Sequence, residues 1–129
     1  MTITGLRIPA DGNEPIRKVP ISGYEDINRN VGGYIEAVFL WSGRVTMYVH
    51  EEGLLKGLRH NARASWLRPK DQALVGDVLL LGPPDGEGDD TGITDKDITD
   101  ALTMIAYKPE AIQAVLDEAS LEALNRTAP

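Results

Sequence analysis

The chain has 129 residues, no cysteine, 42% hydrophobic residues and a formal net charge of −7. That length suits one core, since single domains run to about 100–200 residues; the missing thiols exclude disulfides, thiolate metal sites and cysteine nucleophiles, and no apolar run approaches the ~18 residues of a membrane span. The amino end, MTITGLRIPADGNEP, has neither the basic patch nor the apolar stretch of a secretory leader, so a cytoplasmic protein with no membrane partner is expected.

In chain order, ITGLRIP and PIRKVPI are β-type runs flanking Asp11-Gly12-Asn13, a turn signature, and predict a first hairpin. Pro15 and Pro20 remove backbone donors near the ends of the second run and mark it as an edge strand or a short one. Ser22-Gly23-Tyr24-Glu25 fits a capping box and predicts a helix over 23–31, with Tyr24, Ile27 and Val31 on one face. YIEAVFLW and RVTMYVH, separated by Ser42-Gly43, predict an antiparallel hairpin with a two-residue turn. That register pairs Leu40 with Val45, Val38 with Met47 and Glu36 with Val49 on the more apolar face, which is assigned to the core. Trp41 with Arg44, Phe39 with Thr46, Ala37 with Tyr48 and Ile35 with His50 form an amphipathic, half-exposed face.

EEGLLKGLRHNARASWLRPKDQ predicts a turn, a short strand at Leu54 to Leu58 and a loop or helical turn near Ala62 to Leu67. Val78, Leu79, Leu80 and Leu81 read as a buried strand behind a Gly76-Asp77 bend, and PPDGEGDDTG as a loop. From Thr94 the period becomes helical: Thr94 to Asp97 is a cap, and Ile98, Ala101, Leu102, Ile105 and Ala106 form a stripe that needs a cover. Pro109 opens a second helix bearing Ile112, Val115, Leu116 and Ala119, with Ser120 capping a last short turn that holds Leu121 and Leu124. The expectation is therefore α+β: a mostly antiparallel sheet of about five strands, one short helix after strand two, and a helical C-terminal segment. A single domain spans 1–107, and 108–129 is a helical extension packed on it or on a partner.

Four stretches invite chemistry. Gly32-Gly33 follow a helix and open a strand, the reverse of a dinucleotide fingerprint, so they read as a helix stop and not as a phosphate cradle. His50, Glu51, Glu52 and His60 are metal-ligating types, but the ten-residue gap between the histidines does not put both on one helical face, and no metal is assigned. The acids of DGEGDDTGITD lack the sixth-position glycine and twelfth-position glutamate of a calcium loop. Finally, residues 56–70 carry Lys56, Arg59, Arg63, Arg68 and Lys70 with no acid, while 85–100 carry seven acids against Lys96. The basic run, with Trp66 inside it and Tyr48 nearby, has nucleic-acid chemistry, which the overall charge opposes. The acidic run suits two solvated loops in mutual attraction, or presentation of carboxylates to a basic partner.

VGGYIEAV with a second β run behind it, HEEGLLKGLRHNARAS, GDVLLLGPPDGEG and a helix opening TDKDI occur in an order that resembles a domain-of-unknown-function family of small bacterial and bacteriophage proteins, over roughly residues 3 to 107. His50 stands where that family often has asparagine. The resemblance implies a mobile-element context and no activity. Together these readings point to a non-enzymatic accessory protein of a phage or mobile element, in the host cytoplasm, that binds and modulates a host macromolecule in host takeover or anti-defence, or self-associates. No cofactor is expected, and the partner-binding candidates are Glu36, Trp41, Tyr48, His50, Arg59, Asn61, Arg63 and Trp66. The rival is a small anionic-ligand-binding protein or enzyme built from His50, Glu36 and the basic loop 56–70.

Overall fold

The computed structural model describes residues 2–68 and 73–127, with side chains as far as residue 118. Strands β1 (Ile3–Ile8), β2 (Arg17–Ile21), β3 (Ile35–Leu40), β4 (Val45–His50) and β5 (Val78–Leu81) form one antiparallel sheet in the order β2-β1-β5-β4-β3. Helix α1 (Tyr24–Val31) covers one face, and α3 (Asp95–Met104) with α4 (Pro109–Thr127) covers the other; α2 (Ala62–Ser65) is a single turn. Fold class and strand number are those expected.

The pleat explains the two covers. Leu6, Ile8, Val45, Met47, Val78 and Leu80 point to the α3/α4 side and are buried with Ile98, Ala101, Leu102, Ile112 and Val115. Leu79 and Leu81 point the other way, with Ile21, onto Ile27 and Val31 of α1. β5 is the central strand and is covered on both faces, so its four residues are all apolar and all fully buried. Each such side chain contributes about 1.5–3 kcal/mol of burial. β2, with its Pro20, lies at one edge as its proline requires, and β3 lies at the other.

The β3–β4 register is the expected one at all six pairs from Ile35–His50 to Leu40–Val45. Its turn is not. Trp41, Ser42 and Gly43 all take left-handed backbone, with φ of 53°, 57° and 86°, so the ladder ends at Leu40–Val45 and four residues, not two, reverse the chain. This swings Trp41 out of the amphipathic face and packs it against the α3/α4 core.

Three other expectations are corrected. Ser22 does not cap α1: Gly23 is the cap residue, and Asp26, one position later than Glu25, accepts from the Ser22 N–H at 2.7 Å. That bond, followed by the Arg29 guanidinium, holds the Asp26 carboxyl below its ordinary value. Leu54 to Leu58 is not a strand but consecutive tight turns, closed by Lys56 N–H on Glu52 O, Gly57 N–H on Leu54 O and Leu58 N–H on Gly53 O. α4 runs unbroken past Ser120, because nothing in the backbone after Pro109 interrupts its ladder; the side chains of Leu121 and Leu124 lie outside the described residues. The Thr94 cap forms as read, its Oγ1 accepting from Asp97 N–H at 3.1 Å.

Candidate functional site

At the end of the sheet where β1 and β4 finish and β5 begins, a cleft of about 490 Å³ opens between α1 and the 51–58 turns. His50, Lys56, Arg59, Asp11, Glu14 and Asp77 line it. Its charges are largely spoken for. Arg7 bridges Asp77 at 2.6 Å and Glu14 at 3.3 Å, and Arg59 lies 3.4 Å from Asp11. Arg63 donates from Nη2 to the carbonyls of Pro9 and Asp11, which pins the loop between β1 and β2. The carbonyl end of α1, at Val31 and Gly32, also faces the cleft and adds negative potential. The basic run is thus met by Asp11 and Glu52, while Asp95, Asp97 and Asp100 of the acidic run meet Lys18 and Arg44. Lys70 lies outside the described residues.

His50 is 7% exposed. Its Nδ1 accepts from the Glu52 N–H at 3.0 Å, which fixes the lone pair there and the proton on Nε2, against Gly33. Glu36 pairs with Val49, whereas His50 pairs with Ile35, so alternation sends the two side chains to opposite faces of the sheet. Asn61 is fully buried and holds Ile8 O and Gly76 O through its amide nitrogen while its oxygen caps α2. Trp66, the residue that ends α2, is 68% exposed.

Tyr48 donates to Asp90 and so ties the acidic loop to the sheet. Burial first, and the Asp90 carboxylate second, hold its phenol above the ordinary 10.0. From about pH 10 upward the unfolded chain loses this proton while the folded chain retains it, so stability present below that pH falls as pH rises. Denaturation midpoints measured across the alkaline range should show that fall, and Asp90→Asn should reduce it. Phenolate absorbance should likewise show one of the four tyrosines ionising late.

The second feature is the outer edge of β3. Glu51 N–H donates to Tyr34 O at 2.9 Å. Antiparallel strands alternate bonded and non-bonded pairs, so Glu36, Val38 and Leu40 bond inward to β4, and Ile35, Ala37 and Phe39 aim their N–H and C=O outward. No described residue pairs with that side. Ala37 is exposed, Phe39 is 60% exposed and Tyr34 flanks them, also exposed. On the α3/α4 side, where the helices stop short of β3, Glu36 is exposed and lines a groove of about 610 Å³ with Leu54, Leu55 and Arg68. This answers why a carboxylate stands on the apolar face: the core reaches Leu40 and Val38 of β3 but not Glu36. The sequence nominated Glu36 from this surface and placed Phe39 on a half-exposed face, but singled out none of Phe39, Leu54 and Leu55 for binding, because an exposed apolar residue marks a docking edge only once the strand is known to be one.

Trp41 and Arg44 form a third, smaller feature. The Arg44 guanidinium sits 5.5 Å over the indole and reaches Asp97 and Asp100 of α3, strapping the left-handed turn to that helix. The molecule is therefore a three-layer α+β protein with an ion-paired cleft and a β3 edge that no described residue pairs. The chain belongs to the family described as Domain of unknown function (DUF3846), whose family model matches residues 3–106. No curated protein and no solved structure matches it.

Proposed function

We propose that the protein is a non-catalytic binding protein that takes up a polypeptide strand along the outer edge of β3. The observation that carries this reading is the run of outward backbone groups at Ile35, Ala37 and Phe39, with the exposed Phe39 on one face of the edge and the Glu36/Leu54/Leu55 groove on the other. Strand addition draws affinity from main-chain hydrogen bonds and selectivity from alternating side-chain pockets, and this edge offers both. The resemblance to small bacterial and phage proteins supports a cytoplasmic accessory role in a phage or mobile element, modulating a host protein or pairing with itself. No helix among the described residues is long and apolar enough to cross a membrane.

Ala37→Pro removes an outward N–H and leaves the bonds to β4 in place, so it isolates the edge. In a lysate pull-down, proteins enriched by the wild-type chain should fall about tenfold or more with this variant, the effect of about 1.4 kcal/mol. Equal recovery by the two baits would refute strand addition. The rival reading draws on His50, Lys56 and Arg59 sharing one cleft. A thermal-shift screen with phosphate, nucleotides and divalent metals addresses it: a rise of several degrees with one compound would move the function there.

A further inference from the structure

Resting on the strand-addition reading, we infer that the occupant of the β3 edge is β3 of a second copy, paired antiparallel about a two-fold axis at Ala37.

The two edges of the sheet are built differently. β2 carries Arg17, Lys18 and Pro20, with Pro15 just ahead of it, and its Lys18 ammonium is bound to Leu116 O of α4 at 2.9 Å and to Asp95 at 3.3 Å. Charge, proline and a packed helix are the usual means of keeping an edge from pairing. β3 has none of them: six residues, no proline, no lysine, an unbroken register without a bulge, and Glu36 as its one charge. Each chain thus offers, among the described residues, the β3 edge for pairing. Pairing two of them consumes both, so the assembly closes at a dimer with one continuous sheet and does not grow into a fibre.

The register follows from the backbone. Ile35, Ala37 and Phe39 bond outward, so a two-fold axis passes through one of them as a bonded pair or through Glu36 or Val38 as a non-bonded pair. Glu36 on the axis would set its carboxylate directly opposite its copy, and Val38 on it would set Ile35 against the left-handed Trp41. An axis at Ile35 would set Phe39 against Val31 of α1, and one at Phe39 would run Ile35 into the left-handed turn at Gly43. At Ala37 the full strand is used, with about six interchain backbone hydrogen bonds. The smallest side chain then sits on the axis. The exposed Phe39 ring packs on Ile35 of the second copy, an aromatic–β-branched pair of the favourable kind. Glu36 faces Val38 of the second copy, and the two Glu36 carboxylates are offset diagonally by about 7–8 Å instead of opposed.

Charge also separates this occupant from others. Two chains of net charge −7 repel at long range, so salt should tighten the dimer, whereas salt would loosen a complex with a basic segment. Sedimentation equilibrium of the full chain at micromolar concentration, in about 0.1 M and about 1 M salt, tests the proposal; this range shortens the Debye length from ~10 Å to ~3 Å. The wild-type chain should have the mass of two chains and associate more tightly at high salt, and Ala37→Pro and Phe39→Lys should have the mass of one. Should Ala37→Pro fail to fold by circular dichroism, Phe39→Lys decides, since it alters no backbone group. A wild-type monomer in both salts overturns the inference, as does a dimer that survives Phe39→Lys or loosens with salt. If that monomer still captures lysate proteins in an Ala37-dependent way, self-pairing falls and strand addition stands; if capture ignores Ala37, both fall.

Discussion

Replacing Asn61 by alanine is expected to lower the unfolding free energy by about 3–5 kcal/mol. Its side chain joins three segments that share no local sequence. The amide nitrogen donates to Ile8 O at the end of β1 and to Gly76 O before β5, each at 2.9 Å, and the oxygen accepts from Ala64 N–H at 3.0 Å. With the residue fully buried, truncation strands two carbonyls and one N–H, each at a cost of about 1–3 kcal/mol when no partner replaces the lost one. Asn61→Asp separates the contributions. An aspartate still caps α2, so if the cap were the whole effect, worth about 1 kcal/mol, the variant would be nearly neutral. The two carbonyls instead meet a carboxylate in place of a donor, and the loss should match that of alanine. Urea denaturation of the two variants checks this, and a near-native Asn61→Asp would show that the bonds to Ile8 and Gly76 contribute little.

Gly33→Ala should cost about 2–3 kcal/mol in the wild-type chain and far less in a His50→Ala background. A Cβ built on Gly33 would lie 2.4 Å from Nε2 of His50, closer than any real contact, so either the buried imidazole or the start of β3 must shift. The imidazole is held by the Glu52 N–H and cannot swing away without stranding that donor. Removing the ring removes the clash, so the two substitutions should couple strongly in a double-mutant cycle. Gly32→Ala provides the contrast. Gly32 has φ of 95° and open space around its Cα, so its penalty of about 1–2 kcal/mol is backbone strain and should not depend on His50. Additivity of Gly33→Ala with His50→Ala would show that the ring yields freely, and would weaken the assignment of His50 as a fixed structural residue.

The paired glycines show how far local sequence reaches. Gly32 as a left-handed helix stop was legible, because that need is set by the residue itself and by the helix before it, and its N–H does close on Asn28 O at 2.7 Å. The need at Gly33 was not legible, since the group it must avoid comes from β4, seventeen positions away. Capping at Thr94, the Pro109 helix start and the β3–β4 register were readable for the same local reason. The shape of the turn at Trp41 was not. Ser42-Gly43 alone suits a two-residue reversal, but the Arg44 ion pairs to α3 and the packing of the Trp41 ring hold a longer, left-handed one. Arg59 and Arg63 looked like a basic surface because their partners, Asp11 and the carbonyls of Pro9 and Asp11, are some fifty residues distant in the chain.

By itself the sequence determined the α+β class, the five strands that form alongside one at Leu54 to Leu58 that does not, most of the helices, and the core-facing side of the β3–β4 hairpin. Those depend on periodicity, turn residues and caps, whose physics acts over about four residues. Only the tertiary structure decided that β3 is an edge, that Glu36 therefore stands in solvent on an otherwise buried face, and that the exposed Phe39, Leu54 and Leu55 border that edge. Strand order is set by which long-range ladders and helical covers together bury the most apolar surface without stranding backbone groups. No residue's neighbours in the chain carry that information.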